Sequence, residues 1–331
     1  MGEDIIIKFV LCIVGGFLLS VIIAKVILPI LASRHLNQPI FELGPAWHKS
    51  KADTPTMGGI CFIIAVLAVM LVFVGVEALV YKSQDLLPVA FSLGLAVANG
   101  MIGFVDDYRK LVKKENEGLG RTSKLLLQLG VAIAYLVLMK IFGNLNTSLV
   151  IPFTNVSFEL GALYYILAAL IIAGFVNATN ITDGIDGLAS SITFVVLAFF
   201  SVVAFRIQDA NLAILAAAFI GAILGFLMFN RHPAKMFMGD TGSLFIGGFL
   251  MGLAFMINNP LILVIAGMVY IIEMLSSFLQ IFCYKMFNGK RLFSIAPFHH
   301  ALEKRGWSEN KIVVVFSAVT LAFCVIAYLG L

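Results

Sequence analysis

Five aspartates, Asp106, Asp107, Asp183, Asp186 and Asp240, sit where a long apolar run meets a short polar loop, and the alternation of runs puts all five on one side of a membrane. An ionised carboxylate at the edge of hydrocarbon is costly, so a cluster of them marks a functional site by default. Hard divalent cations take oxygen ligands, and Mg²⁺ keeps waters while using one or two carboxylates together with substrate phosphates. The pattern points to metal-assisted chemistry at a membrane face.

The richest motif is Asn177-Ala178-Thr179-Asn180-Ile181-Thr182-Asp183-Gly184-Ile185-Asp186-Gly187, which holds two carboxylates, two amides, two hydroxyls and two glycines without one Lys or Arg. A solvated, turn-rich loop is the plain alternative. The stretch superficially resembles the start of an EF-hand loop but lacks the closing Glu. Asn177 and Asn180 also match the N-x-[ST] pattern, by chance on a cytoplasmic face. In Gly103-Phe104-Val105-Asp106-Asp107-Tyr108-Arg109-Lys110 two carboxylates repel each other and oppose the dipole of the helix they terminate, a poor arrangement for stability alone. A divalent cation or the nearby Lys110, Lys113, Lys114, Arg121 and Lys124 would relieve it.

Three further segments carry polar chemistry. Lys51 to Gly59 reads Lys-Ala-Asp-Thr-Pro-Thr-Met-Gly-Gly; Thr54 and Thr56 are expected to cap the following helix, and Lys51 and Thr56 to meet a phosphate. Phe229 to Ser243 contains Asn230 and ends in Gly239-Asp240-Thr241-Gly242-Ser243, more than a bland helix cap at Asp240 requires. Asn288 to Trp307 holds His299 and His300 after Pro297, which can begin a short amphipathic helix carrying Glu303 and Lys304. A His pair beside basic residues suits a pyrophosphate contact or a proton relay, the dull alternative being solvated histidines on an interfacial helix. Zinc is not favoured without further soft ligands.

The elements that must position these residues follow from composition. The chain has 331 residues, 61% hydrophobic and 12% charged, with a mean hydropathy of +1.04, which describes an all-α polytopic membrane protein and excludes a soluble domain. Ten runs are long enough to span: Ile5 to Leu31, Met57 to Tyr81, Leu87 to Val105, Ser123 to Phe142, Glu159 to Val176, Leu188 to Ile207, Asn211 to Phe229, Ser243 to Asn258, Leu261 to Phe287 and Ile312 to Leu331. With the N-terminus outside, cytoplasmic loops hold 17 Lys and Arg and outside loops 3, so the +4 net charge is a topology signal and no argument for nucleic-acid binding. Residues 1–331 read as a single transmembrane domain without repeat or linker, and the first run, carrying Lys8 and Lys25, reads as a retained helix. Cys12, Cys61, Cys283 and Cys324 lack metal spacing and read as small buried hydrophobes. Ser148 to Ile151 and Asn155 to Phe158, around Pro152, predict a small outer hairpin. Glu273 and Gln280 lie seven residues apart on one face of the ninth run; Gln280 is expected to border a cytoplasmic cleft, with a groove for a lipid chain alongside.

Together these motifs resemble the polyprenyl-phosphate N-acetylhexosamine 1-phosphate transferase superfamily, over essentially the whole chain and in the order of all five motifs. Within it the chain is most similar to the phospho-N-acetylmuramoyl-pentapeptide transferase branch, to which Ala296-Pro297-Phe298-His299-His300 points; the third consecutive His usual there is Ala301 here. The resemblance implies transfer of phospho-N-acetylmuramoyl-pentapeptide from its UDP carrier to undecaprenyl phosphate at the bacterial inner membrane, with UMP released, Mg²⁺ required and a homodimer as the assembly. It implies Asp240 as the first Mg²⁺ ligand with Asp183 and Asp186 shaping the metal site, and Asp106 orienting or deprotonating the lipid phosphate. Asp107 is expected on the nucleotide side or on a lysine, and Lys51, Thr56 and Lys124 on phosphates. Asn177, Asn180, Asn230 and Ser243 are expected at nucleotide or sugar, and His299 and His300 at the sugar-nucleotide end. Two alternatives stand beside this: a sister transferase using UDP-N-acetylglucosamine, and an ion-coupled transporter whose acids carry protons or Na⁺.

Overall fold

The computed structural model describes residues 3–34, 51, 53–77, 79, 86–111, 118–143, 145–154 and 156–331. The expected Lys49, Lys82, Lys113 and Lys114 fall outside the described residues. Ten helices are long and apolar enough to cross a membrane. In chain order these are α1 (Glu3–Ser33), α2 (Gly59–Val76), α3 (Leu87–Leu111), α4 (Arg121–Phe142), α5 (Ala162–Thr182), α6 (Leu188–Ile207), α7 (Ala210–Asn230), α8 (Gly239–Met256), α10 (Met268–Met286) and α12 (Glu309–Leu329), with the short helices α9 (Pro260–Ala266) and α11 (Phe298–Lys304) between the later ones. Strands β1 (Ser148–Val150) and β2 (Ser157–Glu159) form the expected hairpin, Leu149 opposite Phe158. The Phe153 N–H beyond β1 donates to the Gly330 carbonyl, which ties the hairpin to the end of α12.

Helices α7 and α8 are the centre of the bundle, with 78% and 83% of their spanning windows buried against 17% for α1. Lipid tails are as apolar as Leu, so such helices associate by close packing. Alanines and glycines of α7 let α1 approach until Gly16 meets the Ala218 backbone, and Phe62, Phe219, Phe226, Phe245 and Phe249 interlock edge to face where α2, α7 and α8 converge. All four cysteines are unpaired.

The structure corrects several expected boundaries. Helix α3 runs to Leu111, past the expected Val105, so Asp106 and Asp107 stand in the helix with a turn to spare, and α5 runs to Thr182, so Asn177 and Asn180 stand on a helix and not in a loop. The apolar run stops where hydrocarbon stops, but the backbone ladder continues into the polar layer. The single span expected over Leu261 to Phe287 is broken into α9 and α10 at Gly267, whose backbone packs directly against the Phe175 ring. Thr54 and Thr56 do not cap α2: it opens at Gly59 without a side-chain cap, and the N–H groups of Gly58 and Gly59 donate to the Phe237 and Met238 carbonyls.

Candidate active site

The C-terminal ends of α3, α5 and α7 meet the N-terminal ends of α4, α8 and α12 at one end of the bundle, and every motif aspartate lies there. Helix α3 sets the geometry through Gly103. A Cβ at that position would run into the Asp240 carbonyl, so only glycine lets α3 touch the start of α8. Asp107, one turn on and on the same face, then reaches under α8. It accepts from the Asp240 N–H at 3.1 Å, the Thr241 N–H at 2.9 Å and the Thr241 hydroxyl at 2.7 Å. Those amides are orphan donors of a helix start, where the dipole favours a negative charge. Asp107 is thus the cap of α8, supplied from another helix, and 5% exposed.

Asp106 points to the neighbouring face. It accepts from the Leu119 N–H at 2.6 Å and pairs with Lys110 at 2.7 Å and Lys124 at 3.6 Å. Both lysines also lie 3.0 Å from Asp240 Oδ2, while the other Asp240 oxygen accepts from Asn180 Nδ2 at 2.8 Å. Asn180 donates to the Ser243 hydroxyl as well, again at 2.8 Å. Lys110, Lys124, Asn180 and Ser243 are therefore one polar network around Asp240.

A second network lies beside the first. Asp186 accepts from Lys51 at 2.7 Å and from the Ala234 N–H at 3.0 Å, and its second oxygen also stands 3.0 Å from His232 Nδ1. Glu309, at the start of α12, accepts from Lys51 at 2.7 Å and from the Asp186 N–H at 2.9 Å. Asp186, His232 and Glu309 offer three ligand atoms within 4.8 Å of one another. The Lys51 ammonium bridges the two carboxylates and neutralises much of their charge.

Asp183 lies between the networks in the turn that ends α5, half-buried, and its carboxylate accepts no hydrogen bond among the described residues. Burial, and then the charges of Asp240, Asp107 and Asp186, push its carboxyl well above the usual carboxylate range. Among the described residues, six carboxylates, Asp106, Asp107, Asp183, Asp186, Asp240 and Glu309, face three lysines across the two networks. The deficit of positive charge is concentrated at Asp183.

Other expected residues lie outside the lysine-carboxylate cluster. Asn177 donates to Gln128 on α4 at 2.7 Å. Asn230 is buried and fully used, accepting from Ser190 and donating to the Met236 carbonyl. Gln280 clasps the Phe293 backbone with both amide atoms, at 3.0 and 2.8 Å. Thr56 is buried against Gly239, where φ is +72° and Asp107 closes from the other side. On α11, which begins after Pro297 as expected, His300 pairs with Glu303 at 2.6 Å, and His299 is buried against Gly184.

A family model described as glycosyl transferase family 4 matches residues 88–258, which holds every motif aspartate, and the first signature of phospho-N-acetylmuramoyl-pentapeptide-transferase matches residues 51–63, which holds Lys51 and Thr56. The phospho-N-acetylmuramoyl-pentapeptide-transferase of Clostridium perfringens (strain SM101) is 42% identical over 324 residues, covering 98% of this chain and 97% of the relative. That of Clostridium beijerinckii is 40% identical across 100% of both chains, and that of Staphylococcus aureus (strain bovine RF122) 40% identical over 92% of this chain and 94% of the relative. The chain belongs to the phospho-N-acetylmuramoyl-pentapeptide-transferase family. It is accordingly a multi-pass bacterial membrane transferase, and its ten apolar helices agree with that. Two site residues of this family member escape a reading by motif. Glu309 looks like an ordinary first-turn acid of α12, and His232 like a loop residue before a proline; only the approach of α12 to the Asp186 turn brings them together.

Proposed function

We propose that the chain transfers phospho-N-acetylmuramoyl-pentapeptide from UDP-N-acetylmuramoyl-pentapeptide to undecaprenyl phosphate, releasing UMP, and does so with Mg²⁺ at the cytoplasmic face. The observation that carries the reading is the pair of ammonium groups, Lys110 and Lys124, converging at 3.0 Å on Asp240 beside an uncompensated Asp183. Both substrates are anions, an attacking phosphate monoester and a pyrophosphate, so the site must suppress repulsion while keeping the reactants in line. Lysines that already share a carboxylate can exchange it for a phosphate oxygen without a new charge being buried.

The donor set fits Mg²⁺. Asp183 and Asp240 supply hard oxygens, no thiolate is near, and the charge deficit at Asp183 is what a divalent cation relieves. Asp183 and Asp240 would hold the ion, with Asp186 fixing the turn from behind; the ion supplies charge neutralisation at the pyrophosphate. Asp106, fixed by the Leu119 N–H, orients Lys110 and Lys124 toward the acceptor phosphate. Its base role is secondary, since a phosphate monoester with a second pKa near about 6 is mostly ionised at neutral pH. Lys51 is the candidate third phosphate contact. Orientation rests on the 17 against 3 distribution of Lys and Arg. A homodimer is the assembly we propose.

The test is UMP release by purified protein with undecaprenyl phosphate and Mg²⁺, comparing the muramoyl-pentapeptide donor with UDP-N-acetylglucosamine and with Asp240→Asn as control. Release from the pentapeptide donor alone, lost in the variant, is the expected result. Release from the other donor alone would move the chain to the sister activity, and none from either would reopen the transporter. The motif aspartates gather at helix ends at one end of the bundle, which argues against transport carried by acids in mid-membrane.

A further inference from the structure

Glu273 is a fully buried carboxylate within the spanning helix α10, and among the described residues its ion pair is with His299 and with no Lys or Arg. Its partner is His299, also fully buried, at the start of α11. Glu273 Oε1 accepts from the His299 N–H at 3.1 Å, and Oε2 lies 2.9 Å from the His299 ring atom Nδ1. With Oε1 taken by the backbone N–H, the geometry sets Oε2 to accept from a proton on Nδ1. The other ring nitrogen, Nε2, is buried without a partner among the described residues. It faces the Asp183-Gly184 turn so closely that a Cβ at Gly184 would run into it. A merely structural Glu-His pair has no reason to leave a buried nitrogen unsatisfied against the turn that carries Asp183, since such atoms are normally paired.

We propose that Glu273 is a positioning residue for the transfer: it holds the His299 imidazole with Nδ1 protonated, so that Nε2, beside the Asp183-Gly184 turn, is left as the acceptor for a donor group of the substrate bound there. This rests on the transferase reading. Glu273 touches no substrate itself and acts through His299, by the same logic that lets a buried carboxylate choose the tautomer of a working histidine. The segment that carries His299 is fixed at its other end by Gln280, which clasps the Phe293 backbone from the next two turns of the same helix. One face of α10 thereby sets both the place and the tautomer of the imidazole.

Two measurements on the full-length protein in detergent decide the matter. Ring-¹⁵N-labelled histidine spectra, with the His299 signal identified by its loss in His299→Asn, should show Nδ1 protonated in the wild type. In Glu273→Gln, with the amide oxygen kept on the His299 N–H, the amide NH2 faces Nδ1 and donates to it, so the signal should shift toward the other tautomer. In the UMP assay, Glu273→Gln should lower kcat by about ten-fold or more with KM changed less than about three-fold, because the wrong tautomer spoils the chemical step more than binding. The double variant Glu273→Gln/His299→Asn should be no slower than His299→Asn alone. An unprotonated Nδ1 in the wild type, an unchanged kcat in Glu273→Gln, or losses that multiply in the double variant would each overturn the proposal. Thermal melts of every variant separate unfolding from these effects. Wild-type protein that releases no UMP would overturn the transferase reading and the catalytic role with it, while the spectra still decide the tautomer.

Discussion

Asp240 and Asp186 sit in adjacent networks, carry the same group and each meet lysine, yet they are held differently. Asp186 is 3% exposed and accepts a backbone N–H from the loop after α7, and its own N–H is taken by Glu309. Asp240 has a side chain 20% exposed and, among the described residues, is met by the side chains of Lys110, Lys124, Asn180 and Asp106. A carboxylate that accepts a backbone amide fixes a chain segment, because the amide cannot leave without the backbone moving. One met by flexible ammonium groups can change partners. By this measure Asp107, Asp186, Glu273 and Glu309 are clamps, Asp183 and Asp240 are free to take a ligand, and Asp106 is both.

The comparison breaks most directly at Asp240. Asp240→Asn should lower kcat by about a hundred-fold to a thousand-fold, the range seen when one preorganised charge-stabilising group is removed, with a melting temperature close to wild type. A large loss of melting temperature instead would make Asp240 a clamp. Lys124→Met comes next, with a fall of about ten-fold to a hundred-fold in kcat/KM; an unaltered rate would show that Lys110 alone serves the site.

At Asp107 the expected damage is to the fold first. Asp107→Ala strands two amides of α8 and should cost about 2 to 3 kcal/mol of stability, read from denaturation, with activity lost in proportion to the displacement of Asp240. Asp107→Asn, which keeps one acceptor, should recover part of both. If Asp107→Ala melted like the wild type and yet were inactive, Asp107 would belong with Asp240. For Glu309→Gln the effect should be smaller, a rise in KM for the nucleotide donor as Lys51 loses one anchor, with kcat little changed.

The smallest effect concerns Asp183 and pH. Its carboxyl is raised, first by burial and then by Asp240, Asp107 and Asp186, so without a divalent cation the folded chain keeps that proton to higher pH than the unfolded chain does. Its contribution to stability is then greatest in acid and is lost as pH rises toward the folded value. Asp183→Asn should flatten that decline, and added Mg²⁺ should raise the melting temperature of the wild type at neutral pH but not of the variant. An equal Mg²⁺ response in both would remove Asp183 from the metal site.

Much of the site is legible in the residues alone. Carboxylates and glycines at the ends of apolar runs identify the polar face, since a carboxylate at that depth needs a partner or a ligand. The runs themselves follow from hydropathy, and nine of the ten kept their course; the tenth was read as one span because a glycine packing against Phe175 has no local signal. Helix ends were misjudged in the polar layer for a similar reason. Hydropathy reports where lipid stops, while the last turns of α3 and α5 are decided by what their side chains meet there.

By itself, then, the chain's sequence determined the all-α class, the ten spans and the identity of the residues gathered at one end, because partition between lipid and water acts on each residue where it stands. The tertiary structure alone decided which of two adjacent aspartates caps a helix and which meets the lysines, that Glu309 and His232 join Asp186, and that Glu273 pairs with His299. Those assignments depend on partners up to 134 residues away for Asp107 and 258 for Glu309. A hydrogen bond of that range exists only once the helices have packed.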